Sequence, residues 1–289
     1  MKVLGLGAGV PGGSAELLLA AALRAASATG AGAELVRLSD VDMSADGDWL
    51  WERLVGCDGL IVSTPIMSRT VAAGLKVLVD RLLGPNADAA IIEHLVGVRR
   101  TGTEPAVPFR VDERVLKPRV AGFLAVGGSL TPQWKTLALP ILHTMTFSMH
   151  IAVVDQVVFS GAGTPRSIVL DDAAMARAAG LGATVAGQLG RAFEETEYRG
   201  EPGLCPMCHL DVITLRGTDV ACATCGARGS LTPDLSVEWT DLDASVLSMA
   251  EKRAHAKEIQ ETAAAHAARR AEIEVRVAAL GGFDRIVRP

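Results

Sequence analysis

The chain has 289 residues, of which 49% are hydrophobic and only 4% aromatic, and its formal net charge is −5. This length allows one large domain or two small ones with a core of Ala, Val and Leu, and the acidic balance gives no electrostatic reason to expect nucleic acid. The sequence shows no charged-then-apolar leader and no apolar run of membrane-spanning length, so we expect a cytoplasmic protein with no membrane partner.

The chain opens with an apolar segment, a glycine-rich loop and a segment of strongly helix-forming residues. Residues 2–7 predict a buried strand, and Ser14 is predicted to cap a helix over residues 15–26. Backbone N–H groups of the loop between them, together with the positive end of the helix dipole, make a cradle for a phosphate group. The predicted cradle residues are Gly7, Gly9, Val10, Gly12, Gly13 and Ser14.

Two kinds of phosphate ligand fit this loop on its residues alone. Residues 7–12 match the dinucleotide pattern G-x-G-x-x-G letter for letter. Pro11 and Gly13, however, move the predicted helix cap out to Ser14 and make a longer, rounder loop, which suits a terminal monophosphate. The choice between the two ligands therefore depends on the remainder of the chain.

Strands and helices alternate along the first 195 residues. The further predicted strands are residues 34–38, 60–64, 120–126 and 151–159, and the further predicted helices are residues 49–55, 71–83, 137–149 and 171–195. Short apolar strands with helical crossovers imply a doubly wound α/β domain with a parallel sheet, although their spacing leaves the strand order open. The proline-rich residues 84–118 interrupt the alternation, and we interpret them as an insertion with a short helix near residues 89–96.

The loops after the first, third and fourth predicted strands are candidates for one binding site. Ligands of open α/β sheets bind beyond the carboxyl ends of the strands, near the point where the strand order reverses. The three loops that leave these ends cover residues 7–14, 64–70 and 127–133. We expect them to border the same ligand.

Four segments of the chain combine into a more specific pattern. They are Gly7-x-Gly-x-x-Gly-Gly-Ser14, Asp58-Gly-Leu-Ile-Val-Ser-Thr-Pro-Ile-Met67, Gly74-Leu-Lys-Val-Leu-Val-Asp-Arg81 and Gly127-Gly128-Ser129. The pattern resembles the NAD(P)H-dependent FMN reductase family of flavodoxin-like proteins, over roughly residues 1–195. The resemblance implies a flavodoxin-like five-stranded sheet, bound FMN, a reduced nicotinamide as donor, and a homodimer or homotetramer.

The resemblance also assigns roles to the three loops. The first loop is expected to hold the FMN phosphate, and the other two to border the isoalloxazine ring, through Thr64, Pro65, Ile66, Met67, Ser68, Gly127, Gly128 and Ser129. Because a flavin carries its own hydride chemistry, we expect no catalytic acid or base from the protein. Met67 departs from the family, whose members often have an aromatic residue there.

The insertion over residues 84–118 is the second departure, because it is longer than the usual connection. It holds no cysteine, which argues against the iron–sulfur cluster of some family members. With Phe109 and the arginines Arg99, Arg100 and Arg110, it would either roof the ligand pocket or form an oligomer contact.

Four of the five cysteines form two C-x-x-C pairs, Cys205 with Cys208 and Cys222 with Cys225, separated by thirteen residues. This spacing is typical of a zinc ribbon, with a hairpin turning at Arg216-Gly217 and a third strand over residues 231–239. Disulfides fit poorly in a reducing compartment. Rubredoxin-type iron is the alternative metal, but the aromatic shell usual around that iron is missing, so we expect Zn²⁺ in a structural role.

These features divide the chain into three parts. Residues 1–200 are the predicted flavodoxin-like FMN-binding domain, residues 201–240 the zinc ribbon, and residues 241–289 a helical arm that packs across a partner subunit or the α/β domain.

The predicted function is an FMN-dependent NAD(P)H oxidoreductase that passes a hydride through flavin N5 to a small acceptor such as a flavin, a quinone, a nitro or azo compound, or a specialised metabolite. One alternative is an NAD-binding Rossmann dehydrogenase without flavin, in which Asp40 or Asp42 would bind the ribose. Another is a non-enzymatic electron carrier whose ribbon docks a partner. A ribbon that binds nucleic acid is disfavoured because Arg216 and Arg228 stand nearly alone.

Overall fold

A computed structural model of the chain describes residues 1–102 and 111–282. Five strands and six helices build the N-terminal part: β1 (Lys2–Gly7), α1 (Ser14–Ala28), β2 (Gly32–Arg37), α2 (Gly47–Gly56), β3 (Gly59–Pro65), α3 (Ala73–Leu82), α4 (Ala89–Arg100), β4 (Val120–Val126), α5 (Ala138–Leu142), β5 (Ala152–Phe159) and α6 (Asp172–Ala186). The C-terminal part holds β6 (Ile213–Arg216), β7 (Asp219–Cys222), β8 (Arg228–Leu231), β9 (Val237–Asp241), α7 (Met249–Ala268) and α8 (Arg270–Leu280).

The first five strands form one parallel sheet in the order β2-β1-β3-β4-β5. All seven residues of β4 are buried, as expected for a central strand covered on both faces. Helices α1 and α6 cover one face, and the other helices of the N-terminal part belong to the core on the opposite face. The predicted doubly wound sheet is therefore confirmed, and its strand order is that of flavodoxin, with the reversal between β1 and β3.

Several predicted boundaries differ from the structure. Gly13, not Ser14, is the residue before the first helix; its backbone is extended and its carbonyl accepts the N–H of Leu17. The helix predicted over residues 137–149 is α-helical only as far as Leu142. Beyond that residue the hydroxyls of Thr144 and Thr146 donate hydrogen bonds to nearby backbone carbonyls, and these bonds compete with those of a continuing α-helix.

The predicted helix over residues 171–195 also ends early, at Ala186. Gln188 turns the chain back, since its side chain both donates to the carbonyl and accepts from the N–H of Glu197 at 2.7 Å. Gly190, with a φ of +81°, supplies the left-handed turn that this reversal needs.

Residues 84–118, predicted as an insertion, contribute a full helix to the covering layer. Helix α4 runs four residues beyond the predicted 89–96, and Asp88 caps it by accepting two N–H groups at 3.0 Å. Ile92 and Val96 of α4 lie in the same core cluster as the sheet. Arg99 and Arg100 end the helix, whereas Phe109 and Arg110 lie outside the described residues.

The C-terminal part begins with an antiparallel sheet in the order β6-β7-β8-β9. The predicted third strand over residues 231–239 is wrong: residues 232–236 form a turn between two strands, held by hydrogen bonds between Thr232 and Ser236. Helix α7 packs on α4 through its first turns, where Arg253 pairs with Glu93 at 2.8 Å. The α/β domain therefore covers the start of the arm, and most residues beyond 260 are exposed.

Among the described residues, 1–102 and 111–282, no helix combines the length and the apolar character that crossing a bilayer requires.

Helices α1 and α6 approach each other most closely at Gly182. A methyl group added there would lie 1.9 Å from the carbonyl oxygen of Ala22. We expect Gly182→Ala to lower the free energy of unfolding by about 3 kcal/mol, because the two helices must separate to admit the methyl group. Urea unfolding followed by circular dichroism measures this change.

Gly180→Ala is the matched control on the same helix, since a methyl group at Gly180 meets no atom within 4 Å. We expect this variant to gain about 0.5–1 kcal/mol from helix propensity. Equal effects of the two substitutions would contradict the close approach of α1 and α6.

Candidate functional site

The carboxyl edge of the parallel sheet is bordered by four loops. We call residues 8–13 the first loop, residues 66–72 the second loop, residues 127–137 the third loop and residues 160–171 the fourth loop. The first three contain the ligand-binding residues predicted from the sequence, apart from those at the ends of the adjoining elements. The fourth loop was missed.

Close contacts join the first three loops in series. A methyl group on Gly9 would lie 3.3 Å from Cδ of Pro65, the last residue before the second loop, and one on Gly127 would lie 3.3 Å from Cδ1 of Ile66. Gly7 ends β1 beside Ser63 of β3, so these loops leave the sheet side by side. The sheet therefore brings the three predicted loops together at one edge.

The fourth loop completes a ring of contacts. A methyl group on Gly128 would lie 3.0 Å from Cα of Gly163, and one on Gly12 would lie 3.5 Å from Nη2 of Arg166. The third loop thus contacts the fourth, and the fourth returns to the first. The signal that predicts this loop was present in the sequence: it leaves the carboxyl end of β5 and contains two glycines close together.

The first loop and the start of α1 retain features of a phosphate cradle. Gly12 has a φ of +68°, which favours glycine there. The Ser14 hydroxyl oxygen is buried and has no hydrogen-bond partner in the part of the chain that the structure describes. The first turn of α1 adds backbone N–H groups that a helix cannot satisfy internally. A phosphate monoester would supply acceptors for both kinds of group.

Two of the predicted cradle amides are already engaged within the chain. The N–H of Gly13 donates to the carbonyl of Val10 at 3.0 Å, and the N–H of Gly12 donates to Glu16 Oε1 at 3.2 Å. Arg37 in turn pairs with Glu16 through Nε at 2.6 Å and holds the pKa of this carboxyl below its usual value. Glu16 of α1 and Arg37 of β2, which contact this loop, were not predicted from the sequence as site residues.

The second loop is a tight reverse turn. Met67 and Thr70 exchange backbone hydrogen bonds of 2.8 and 3.0 Å, and both central residues, Ser68 and Arg69, have positive φ values. Such a turn favours glycine, so two larger residues there store backbone strain. Arg69 Nε donates to the carbonyl of Gln133 at 2.8 Å, which ties the turn to the third loop.

Thr64, predicted to border the ring, is instead fully buried. Its hydroxyl oxygen accepts the N–H of Ala72 at 3.0 Å and so braces the second loop from below. In the third loop, Ser129 Oγ lies 3.1 Å from Thr131 Oγ1, and Lys135 Nζ donates to Ser160 Oγ at 2.5 Å. Lys135 thus links the third loop to the fourth.

Large apolar side chains are exposed on the first, second and third loops. We call this set the apolar rim: Val10, Met67, Leu130, Trp134 and Leu137, with exposed fractions between 37% and 77%. Exposed apolar groups on loops at one edge of a sheet are typical of a site for an apolar ligand or partner. The rim could not be assembled from the sequence, because its members come from three separate loops.

The four predicted metal ligands converge in the C-terminal part. The sulfurs of Cys205, Cys208, Cys222 and Cys225 all lie within 4.8 Å of one another, and the cysteines are buried. Two of the separations are 3.4 and 3.6 Å, too long for disulfide bonds. Four sulfurs around one Zn²⁺ stand about 3.8 Å apart, given Zn–S bonds of about 2.3 Å. The donor set fits a closed tetrahedral site.

Polar contacts connect this cysteine cluster to the parallel sheet. Gln156 of β5 donates from Nε2 to the carbonyl of Cys208 at 2.8 Å, and its Oε1 lies 3.0 Å from Nε2 of His143. Burial lowers the pKa of His143 to about 4, so the ring is neutral at pH 7. His209 stacks on Tyr198 with ring centroids 3.7 Å apart and is not among the clustered ligands.

Comparison with known proteins identifies the FMN reductase family for the N-terminal part and also finds relatives that match most of the chain. The sequence model of the NADPH-dependent FMN reductase family matches residues 1–163. A flavone synthase, cfoJ of Aspergillus candidus, is 34% identical over an alignment of 259 positions that covers 80% of this chain and 78% of that protein. A solved flavone reductase is 27% identical with a TM-score of 0.85, and the alignment covers 100% of both chains. A solved NADH:FMN oxidoreductase, 18% identical with a TM-score of 0.48, covers 68% of this chain and 94% of its own.

Loss of one cysteine ligand should abolish metal binding. We expect purified wild-type protein to carry about one Zn²⁺ per chain and Cys208→Ser to carry almost none, because a closed tetrahedral site needs all four thiolates. Elemental analysis of both proteins measures this.

Cys57→Ala is the matched control, since Cys57 is buried beside β3, where burial raises the pKa of its thiol to about 11. This variant should keep its metal. Iron in place of zinc in the wild-type protein, or equal metal loss in both variants, would refute the assignment.

Proposed function

The chain belongs to the NADPH-dependent FMN reductase family. From that premise we propose that the four loops hold FMN at the carboxyl edge of the sheet and that the bound flavin would reduce a planar aromatic acceptor. Membership of the family makes the protein a flavin-dependent NAD(P)H oxidoreductase. The observation that carries the placement of the site is the closed ring of loop contacts near the β1/β3 reversal, on loops that also carry the apolar rim.

Each loop has a separate part in this proposal. The unsatisfied Ser14 hydroxyl and the first turn of α1 would hold the phosphate of FMN. The strained turn from Met67 to Thr70, pinned to the third loop by Arg69, would hold the backbone of the second loop against one edge of the ring. Gly127, Gly128 and Ser129 would approach from the other side.

Bound FMN would supply the hydride chemistry, taking a hydride at N5 from the nicotinamide and passing one to the acceptor. The side chains would bind and orient the reactants and keep water from the reacting face. The proposal therefore needs no acid or base among the loop residues.

The acceptor is proposed to be a flavonoid-type aromatic oxygen heterocycle. Two relatives carry flavone in their names, and the solved flavone reductase aligns with this chain over its full length. Leu130 and Trp134 offer exposed apolar surface of the size that stacks against a flat two- or three-ring molecule. A small hydrophilic acceptor would leave this surface unused.

We further propose that the cysteine cluster holds Zn²⁺ in a structural role and that residues 1–200, 201–240 and 241–289 are the working divisions of the chain. Four thiolates leave no open position for a substrate. The exposed outer half of the arm, with Val275 and Leu280 on its surface, supports a homodimer or homotetramer in which a second copy contacts the arm.

Visible spectroscopy tests the proposal directly. The purified protein should show flavin absorbance after FMN is added, lose it on anaerobic addition of NADPH or NADH, and regain it when a flavone such as 2-phenylchromone is supplied. Colourless protein after FMN addition would refute flavin binding. If simple quinones reoxidise the flavin but no flavonoid does, the proposed acceptor class is refuted and flavin binding is not.

Truncation of the apolar rim should weaken acceptor binding. We expect Trp134→Ala and Leu130→Ala each to raise the KM for the flavonoid about 3- to 10-fold with a smaller change in kcat, because lost stacking affects ground state and transition state alike. Steady-state kinetics with saturating NADPH measures both constants.

The matched control for Leu130→Ala is Leu215→Ala, since Leu215 is a similarly exposed leucine on β6 of the C-terminal sheet. It should leave the KM unchanged. FMN content should be equal in all three variants, and a fall in kcat alone, with KM unchanged, would contradict a role in acceptor binding.

A further inference from the structure

Arg166 occupies an unusual backbone conformation at the centre of the fourth loop. Its φ is +67°, in the left-handed region that disfavours side chains larger than glycine. The N–H and the hydroxyl of Ser167 both donate to the carbonyl of Thr164, at 3.2 and 2.8 Å, and hold this turn. Ile168 is buried in the core cluster that includes α1, which anchors the loop against that helix. These contacts hold the backbone at Arg166, whereas its side chain is exposed.

The guanidinium of Arg166 lies over the first loop. A methyl group on Gly12 would be 3.5 Å from Nη2 and 3.9 Å from both Cζ and Nε. Within residues 1–102 and 111–282, the structure gives this guanidinium no hydrogen bond and no ion pair, although five N–H donors are available on it. Arg166 is exposed, so water can solvate its guanidinium in the free protein, and the strained turn places it beside the phosphate cradle, where it can reach an anionic ligand.

The charges around the first loop lead to the same inference. Glu16 would repel a phosphate group, but Arg37 neutralises it through two hydrogen bonds of 2.6 and 2.9 Å. Arg166 therefore remains as an uncompensated positive charge beside Gly12 and the buried, unpartnered Ser14 hydroxyl. A phosphate group at this position would accept hydrogen bonds from the Arg166 guanidinium, the Ser14 hydroxyl and the first N–H groups of α1.

We propose that Arg166 closes the cradle over the phosphate monoester of FMN and makes the protein select FMN over riboflavin. This inference rests on the proposed function, because it requires that the four loops bind the flavin. The planar guanidinium offers paired N–H donors that match two phosphate oxygens, a geometry that an ammonium group does not reproduce. Arg166 is thus a specificity residue outside the three loops that the family pattern identifies.

The test measures flavin affinity rather than turnover. The full chain, freed of bound flavin, is titrated into FMN and into riboflavin, and the quenching of flavin fluorescence gives both dissociation constants. We expect Arg166→Met to weaken FMN binding about 10- to 100-fold and to leave riboflavin binding within about twofold, because one charged, hydrogen-bonded contact is lost. Arg166→Lys should recover part of the loss, and added salt should weaken FMN binding less in the Met variant than in wild type.

Arg24→Met is the matched control, an exposed arginine ten residues along α1 from Ser14, and it should change neither affinity. The inference is overturned if Arg166→Met leaves FMN affinity unchanged, or if it lowers the affinities for FMN and riboflavin equally, as a general distortion of the loop would do.

Another phosphate monoester, the 2′-phosphate of NADPH, is distinguished in the same experiment. A rise in KM for NADPH but not for NADH, with unchanged FMN affinity, would assign Arg166 to the nicotinamide donor and overturn the proposal. Wild-type protein that binds neither flavin would refute the proposed function itself, and the inference with it.

Discussion

A single buried hydroxyl joins the parts of the fold on which the site depends. Ser63 of β3 donates through Oγ to the carbonyl of Ala15 in the first turn of α1, at 2.7 Å, and is fully buried. Its own carbonyl accepts the N–H of Ala8 at 2.9 Å, just after β1. These two bonds hold the first loop and the start of α1 against the strand that carries the second loop. Because a buried polar group is costly to leave unpaired, this arrangement resists displacement.

The part of the chain that follows β5 covers the open edge of the parallel sheet. Strand β5 lies at this edge, and unpaired edge strands invite unwanted pairing. The N–H of Arg199 bonds to the carbonyl of Val154 at 2.8 Å, Asp155 pairs with Arg177, and Gln156 reaches the cysteine cluster. The edge is thus covered over three consecutive residues, and the last of them connects the cysteine cluster to the parallel sheet.

The sequence by itself determined the features that arise from local pattern. Apolar runs alternating with helix formers predicted a parallel α/β sheet, since the periods of strands and helices are legible within short windows. The glycines of residues 7–13 predicted a cradle because few other local conformations suit them, and the spacing of the four cysteines predicted their convergence on one metal. The combined pattern of residues 7–14, 58–67, 74–81 and 127–129 correctly identified the family.

Only the tertiary structure decided which distant residues share the site. The strand order places β1 beside β3, and this order depends on pairings between segments far apart in sequence. For the same reason Thr64 proved to be buried, Glu16 and Arg37 joined the first loop, and Arg166 came to lie over Gly12. Strand and helix propensities are local properties, whereas contacts between loops require the whole sheet to position them, so no window of the sequence contains that information.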